Sequence, residues 1–297
     1  MPQAMELAGC QHHTSTFPCR RCMIQKGEQL GDSDFNIDDN RRTSQSVISG
    51  REERGIGKGI GKRSPFEDPD LAFDIITGLP TEPMHSEFGY AKKLIGLLFQ
   101  ALTGKYRSAL NARLVAKRHS WPWPFRKLKL SKDGKISATF SDASHFIQIS
   151  SFLLVDIKPA AGRDAISLTD WLKPNMFTAQ SKAIFTTRLG KAFCKEIRRC
   201  FTLLAASNVL VFAEARDADP SALEHLLVTI RNARRQIKKV WGDTMNIPNA
   251  HTGLHITESA ANYSLATNIN ASRFEARHAP CKNVASDSNN RSLEKQI

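Results

Sequence analysis

The chain has 297 residues, enough for one large or two ordinary domains with a sizeable core, so it needs no covalent staple to fold. Forty-two Lys and Arg against 29 Asp and Glu give a net charge of +13, which favours a polyanionic partner, nucleic acid before membrane. Six scattered cysteines do not make a secreted disulfide framework, no run nears the ~18 apolar residues of a bilayer span, and the first residues lack the basic and apolar parts of a signal peptide; these features predict a soluble protein of a reducing, intracellular compartment.

Residues 1–26 open on the apolar Met5, Leu7 and Ala8 with no lead-in, as though the chain starts inside a domain. Cys10, His12 and His13 follow, and then Pro18, Cys19, Arg20, Arg21 and Cys22, where an irregular turn ordered by a metal is expected. Residues 27–64 are polar and charged without apolar period and read as a flexible basic insertion; within it Gly55-Ile56-Gly57-Lys58 is repeated as Gly59-Ile60-Gly61-Lys62. That repeat lacks the spacing of a phosphate loop and reads as a linker.

Residues 65–245 form the helical part. Asp68 with Pro69 can start a helix towards Leu79; Pro83 opens a longer one from His85 to about Leu102; Lys105 to Arg118 is another. The Trp121-Pro122-Trp123-Pro124 stretch breaks the pattern, and with Phe125, Arg126 and Lys127 it either plugs the core or stacks on bases. Ala143 to Val155 is apolar, Leu168 to Leu172 is a short apolar piece, and Thr178 to Glu214 is a long helix with a break near Gly190 or Asn208. Asp219 starts an amphipathic helix to Trp241, with Leu223, Leu226, Ile230, Ile237 and Trp241 on one side and Arg231, Arg234, Arg235, Lys238 and Lys239 largely on the other. The fold class expected is mainly α. Residues 246–279 carry the remaining motifs, and 280–297 form a loosely ordered tail.

Two half-sites carry the chemistry. Cys19 and Cys22 are spaced so that one tight turn can bring two thiolates to one zinc, and His251 and His255 share a face of a helix. Together they make a Cys2His2 set, the mixed sulfur and nitrogen donors of structural zinc. Cys10, His12 and His13 are rival ligands for a compact knuckle local to residues 10–22. Cys194 and Cys200 read as buried small residues. A zinc peptidase is disfavoured, because Thr252 stands where the general-base Glu would follow the first His. Lys191, Lys195, Arg198 and Arg199, with Arg188 and the 231–239 cations, are candidate DNA-backbone contacts, or else the solvated faces of packed helices.

The order of these motifs resembles the DDE transposases, specifically the CACTA (En/Spm)-like group, distant relatives of the V(D)J recombinase. Met5 to Gly9 with His12 or His13 before Pro18-Cys19-Arg20-Arg21-Cys22 resembles that family's segment after its second catalytic Asp. Glu82-Pro83-Met84-His85 followed by Tyr90 to Leu94 looks like its Asp-x-Met-His motif, with Glu82 in place of the Asp. Pro248-Asn249-Ala250-His251 through His255 is similar to its Pro-Asn-x-His-x-x-x-His, and Glu275 with His278 to its last acid. The resemblance implies an RNase H-like core interrupted by a helical insertion and truncated here before its central strands. In that family Asp, Asp and Glu hold two Mg2+ or Mn2+ ions; here Glu275 alone of the three acids is expected, so the chain is expected to be a nuclear, catalytically inert remnant unless the missing acids are supplied. DNA and a second copy of the chain are its candidate partners, with neither a membrane nor a small-molecule substrate indicated. The alternative is a domesticated zinc-containing adaptor for DNA or protein.

Overall fold

The computed structural model describes residues 2–116, 127–131, 135–154, 190–212 and 219–263. The fold is mainly α, with one two-stranded antiparallel ladder (β1, Lys129–Leu130; β2, Ile136–Ser137) among the described residues. No described helix is long and apolar enough to cross a membrane.

The centre is α3 (Gly89–Ala101), entered through a single π turn at Met84–Phe88. Pro83 precedes that turn, and the Glu82 carboxylate accepts from the backbone N–H groups of Met84 (2.8 Å) and His85 (2.7 Å), which satisfies two orphan donors. Helix α3 buries Tyr90, Leu94, Ile95, Leu97, Leu98 and Phe99 on nearly every side, as a helix in the middle of a bundle must. Around it lie α4 (Gly104–Ala116), α5 (Phe140–Leu153), α6 (Gly190–Phe212) and α7 (Pro220–Trp241). Phe146 of α5 meets Phe99 and Phe201 edge-on, and Trp241 is fully buried in the same cluster. Each such aromatic or aliphatic side chain taken out of water stabilises the bundle by about 1.5–3 kcal/mol.

Local chemistry sets the ends. Thr139 and Asp142 form a reciprocal capping box for α5; Asp219 accepts from Ala222 N–H to cap α7, whose first position is Pro220 and whose end is Gly242 at φ 59°. Short helices α8 (Pro248–Thr252) and α9 (Ile256–Tyr263) flank one 3-10 turn, Gly253–His255, and pack against the π turn and α7.

Two expectations are corrected. The helix from Asp68 towards Leu79 is one 3-10 turn, Pro69–Leu71, ended by Ala72 at φ 34°; the Asp74 carboxylate then takes the N–H groups of Ile76 and Thr77 and leaves no helical ladder to extend. Residues 27–64, expected to be a flexible insertion, are folded. They include α2 (Ser44–Arg54), capped reciprocally by Thr43 and Ser46, with Val47 fully buried against Met5, Ala8, Cys10, Ile60, Ile75 and Ile76. Their order leans on arginine donors as well as hydrocarbon. Arg42 reaches the carbonyls of Cys22 and Lys58, and Arg51 those of Gly61 and Gly9 as well as the carboxylate of Glu67. The Trp121 to Arg126 corner, the Leu168 to Leu172 piece, all of the 178–189 stretch with Arg188, and the 280–297 tail lie outside the described residues.

Candidate metal centre

Cys19 and Cys22 sit on an irregular turn whose backbone folds back on its own sulfur: the Arg21 N–H donates to Cys19 Sγ at 3.3 Å. Opposite them, α8 and the following 3-10 turn direct His251 and His255 inward; the two rings lie 4.9 Å apart, close to perpendicular. The helix tightens between the two histidines, which still point to the same place. Cys22 Sγ lies 3.0 Å from His251 Nε2 and 3.7 Å from His255 Nε2; Cys19 Sγ lies 3.4 Å from His255 Nε2; the two Nε2 atoms are 3.1 Å apart. A tetrahedral zinc with bonds of about 2.3 Å to sulfur and 2.0–2.1 Å to nitrogen sets S to N at about 3.6 Å and N to N at about 3.3 Å. The four donor atoms all fall within 4.8 Å of one another, all four residues are buried, and the group can hold one metal ion.

The four groups shift one another's hold on protons, with Cys19 and His251 lowered and Cys22 and His255 raised. Burial works to raise the Cys19 thiol, yet the hydrogen bond from Cys22 and the two imidazoles bring it well below its ordinary value. Cys22, which donates that bond and is itself buried, is pushed up. Burial lowers His251. The rival ligands stand apart from the cluster: Cys10 donates towards the carbonyls of Ala8 and Arg20 and is raised to about 11 by burial, and His12 is exposed, bonded to Thr14. His13 faces the adjoining cavity.

An outer layer holds the ligands. His255 Nδ1 donates to Glu258 at 3.3 Å, which leaves Nε2 to face the sulfurs; Glu258 is paired in turn with Arg21 (3.2 Å) and with Arg41. Burial raises the Glu258 carboxyl, but His255 and Arg21 outweigh it and hold it at about 2. The ring of Phe35 stands edge-on to His251, 5.5 Å away. Glu258 was not among the residues singled out from the sequence, although a Glu three residues after a ligand His on a helix is within reach of its ring; that spacing is the signal that was there to be read.

Beside the centre lies a cavity of about 430 Å3. Cys19 and His255 form one wall, and His13, His85, Phe140 and Asn249 line others. His85 Nδ1 donates to Glu82 at 2.6 Å, and the Asn249 amide donates to the His85 carbonyl at 2.6 Å, tying the π turn to α8. The chain matches no family model, no characterised protein and no solved structure.

The remaining candidates are scattered. Glu275 with Arg273, Arg277 and His278 lies outside the described residues, as does the side chain of Lys191. Lys195 and Arg199 are exposed on α6 and Arg198 half-buried; Arg231 and Lys238 on α7 are half-buried, Lys239 is paired with Glu196 (3.1 Å) and Arg235 with Asp34 (2.7 Å). Arg234 is no surface cation. It is buried over the Tyr90 ring, 3.8 Å from its centroid, paired with the buried Glu87, and its Nε donates to the Ala250 carbonyl. Its place on α7 follows Ile230 by one turn, so it points into the body rather than to solvent.

Proposed function

We propose that the chain is a transposase-derived scaffold in which Cys19, Cys22, His251 and His255 hold a structural Zn2+, and that it binds DNA without cutting it. The observation that carries this reading is the meeting of two cysteine sulfurs and two imidazoles whose partners are 229 and 236 residues apart in sequence. Four protein donors fill a tetrahedral shell and leave no position for a metal-bound water, which favours a structural ion over a hydrolytic one. The link to CACTA-like DDE transposases is supported by convergence: Met5, His13, Pro18 to Arg21, His85, Pro248, Asn249, Thr252 and His255, from separate short motifs of that resemblance, border one cavity. An RNase H-like surround, a nuclear site of action and a role for Glu275 belong to the same reading, with Mg2+ or Mn2+ engaged only if the other two acids come from elsewhere.

The test is metal content and melting temperature of the purified chain and of Cys19→Ala and His251→Ala. Both changes are expected to lose about one equivalent of zinc and to lower Tm together. Loss with the cysteine change alone would move the site to a local knuckle with Cys10, His12 or His13, and full metal in both would end the proposal. Strand transfer by the chain alone with Mg2+ or Mn2+ would refute its inertness.

A further inference from the structure

The Gly-Ile-Gly-Lys repeat forms a tight hairpin turn closed by one isolated β-bridge, Gly57 to Ile60. Gly57 and Ile60 exchange both backbone hydrogen bonds (3.1 and 2.8 Å), and the two residues between them, Lys58 and Gly59, both have positive φ (47° and 82°), as a primed two-residue turn requires. The inner edge is joined to the segment before the metal turn: Gln11 N–H to Gly59 O at 2.9 Å, Gly61 N–H to Gly9 O at 2.8 Å, and an isolated bridge between Cys10 and Ile60. A Cβ on Gly59 would stand 2.2 Å from Arg42 Nη2, and one on Gly61 would stand 2.7 Å from the Cys10 carbonyl oxygen, so the backbone is held at close quarters where only glycine fits.

Outward, the same segment carries charge that the fold does not use. Lys58, Lys62 and Arg63 are exposed, and none of their side chains has a hydrogen-bond or ion-pair partner among the described residues. Ile56 beside them is 61% exposed. The three cations fall within six residues of one exposed segment, and duplex DNA presents one charge per about 1.7 Å of axis, so a duplex set against this segment offers several phosphates for contact.

We propose that this hairpin is a preorganised contact for the phosphate backbone of duplex DNA, with Lys58, Lys62 and Arg63 as the phosphate-binding side chains. The pinned backbone means that only side-chain freedom is lost on binding, where a flexible linker would also have to order its main chain. A lipid surface is the poorer fit, because Ile56 is the one large apolar side chain the segment exposes and interfacial anchoring needs a broad apolar face. The choice of DNA rests on the scaffold reading above; the geometry of the hairpin does not.

The experiment compares the zinc-loaded chain with the combined Lys58→Gln, Lys62→Gln, Arg63→Gln variant for binding to a random-sequence duplex across a salt series. Equal zinc content and circular dichroism establish that the variant is folded. Each neutralised phosphate contributes about 0.9 to the slope of log K against log salt, so the variant's slope is expected to be shallower by about 2.7. A variant slope equal to that of the unaltered chain would overturn the hairpin contact and leave the scaffold reading standing. An unaltered chain that binds no duplex even at low salt would overturn both. Charge-dependent capture by vesicles rich in phosphatidylserine, with no duplex binding, would assign the hairpin to membranes and overturn the proposal.

Discussion

In α3, nine of thirteen residues are buried and their side chains are almost wholly hydrocarbon or aromatic, whereas the buried positions between Cys19 and Arg42 include Arg20, Arg21, Ser33 and Arg42 alongside Ile24 and Leu30. The helical body is held by apolar area, which acts in all directions and tolerates small shifts. The arm from residue 8 to residue 62 leans more on directed bonds: guanidinium groups to carbonyls, isolated backbone bridges, and the centre where its sulfurs meet the histidines of α8 and the turn after it. When the anchor is removed it keeps only two small apolar clusters, one around Val47 and Ile60 and one around Ile24 and Leu30.

Metal removal is therefore the strongest way to separate the two regions. Structural zinc contributes on the order of 10 kcal/mol, comparable to the net stability of a domain. Chelation is expected to open the arm to proteolysis within residues 27–64 while the far-ultraviolet signal of the bundle largely persists; simultaneous loss of both would deny the comparison. Protons compete for the same thiolates and imidazoles, so the metal is expected to stay bound near neutrality and to leave as the pH falls.

The next largest effect tests the body. Arg234→Ala strands Glu87 in the core, where burial already pushes its carboxyl up, and is expected to cost about 3–5 kcal/mol in denaturant unfolding with the metal site still able to load. Replacing both together, Arg234→Met with Glu87→Leu, should recover much of the loss; failure to recover would mean that the pair holds more than its own charges. The smallest effect tests the join. Glu258→Gln keeps the shape but weakens acceptance from His255 Nδ1, and is expected to lower zinc affinity by about 10- to 100-fold in a chelator competition while leaving bundle stability unchanged. Unchanged affinity would remove Glu258 from the centre's support.

The unequal physics also decides what could be read from the sequence. The apolar stripes that predicted the helix from His85 to about Leu102 and the one ending at Trp241 are periodic, and their elements appear as α3 with its π turn and as α7. Cys19, Cys22, His251 and His255 were legible because metal ligands need particular donor types at particular spacings. The arm was misread because Arg42 and Arg51 do their packing through donors to carbonyls, which leaves no apolar period to detect. Arg234 was misplaced for a different reason: its partner Glu87 is 147 residues away, and nothing local announces a buried acid. Glu258 was within reach of a spacing argument, but its role depends on Arg21 and Arg41 arriving from the arm.

The separation between the sulfur and imidazole donors has a consequence for synthesis. A ribosome adding about 5–20 residues per second needs roughly 10 to 50 seconds to pass from Cys22 to His251. For that interval the nascent thiols lack His251 and His255 as partners, so they are open to oxidation and to passing metals, and the arm can lock only after the segment through His255 has emerged.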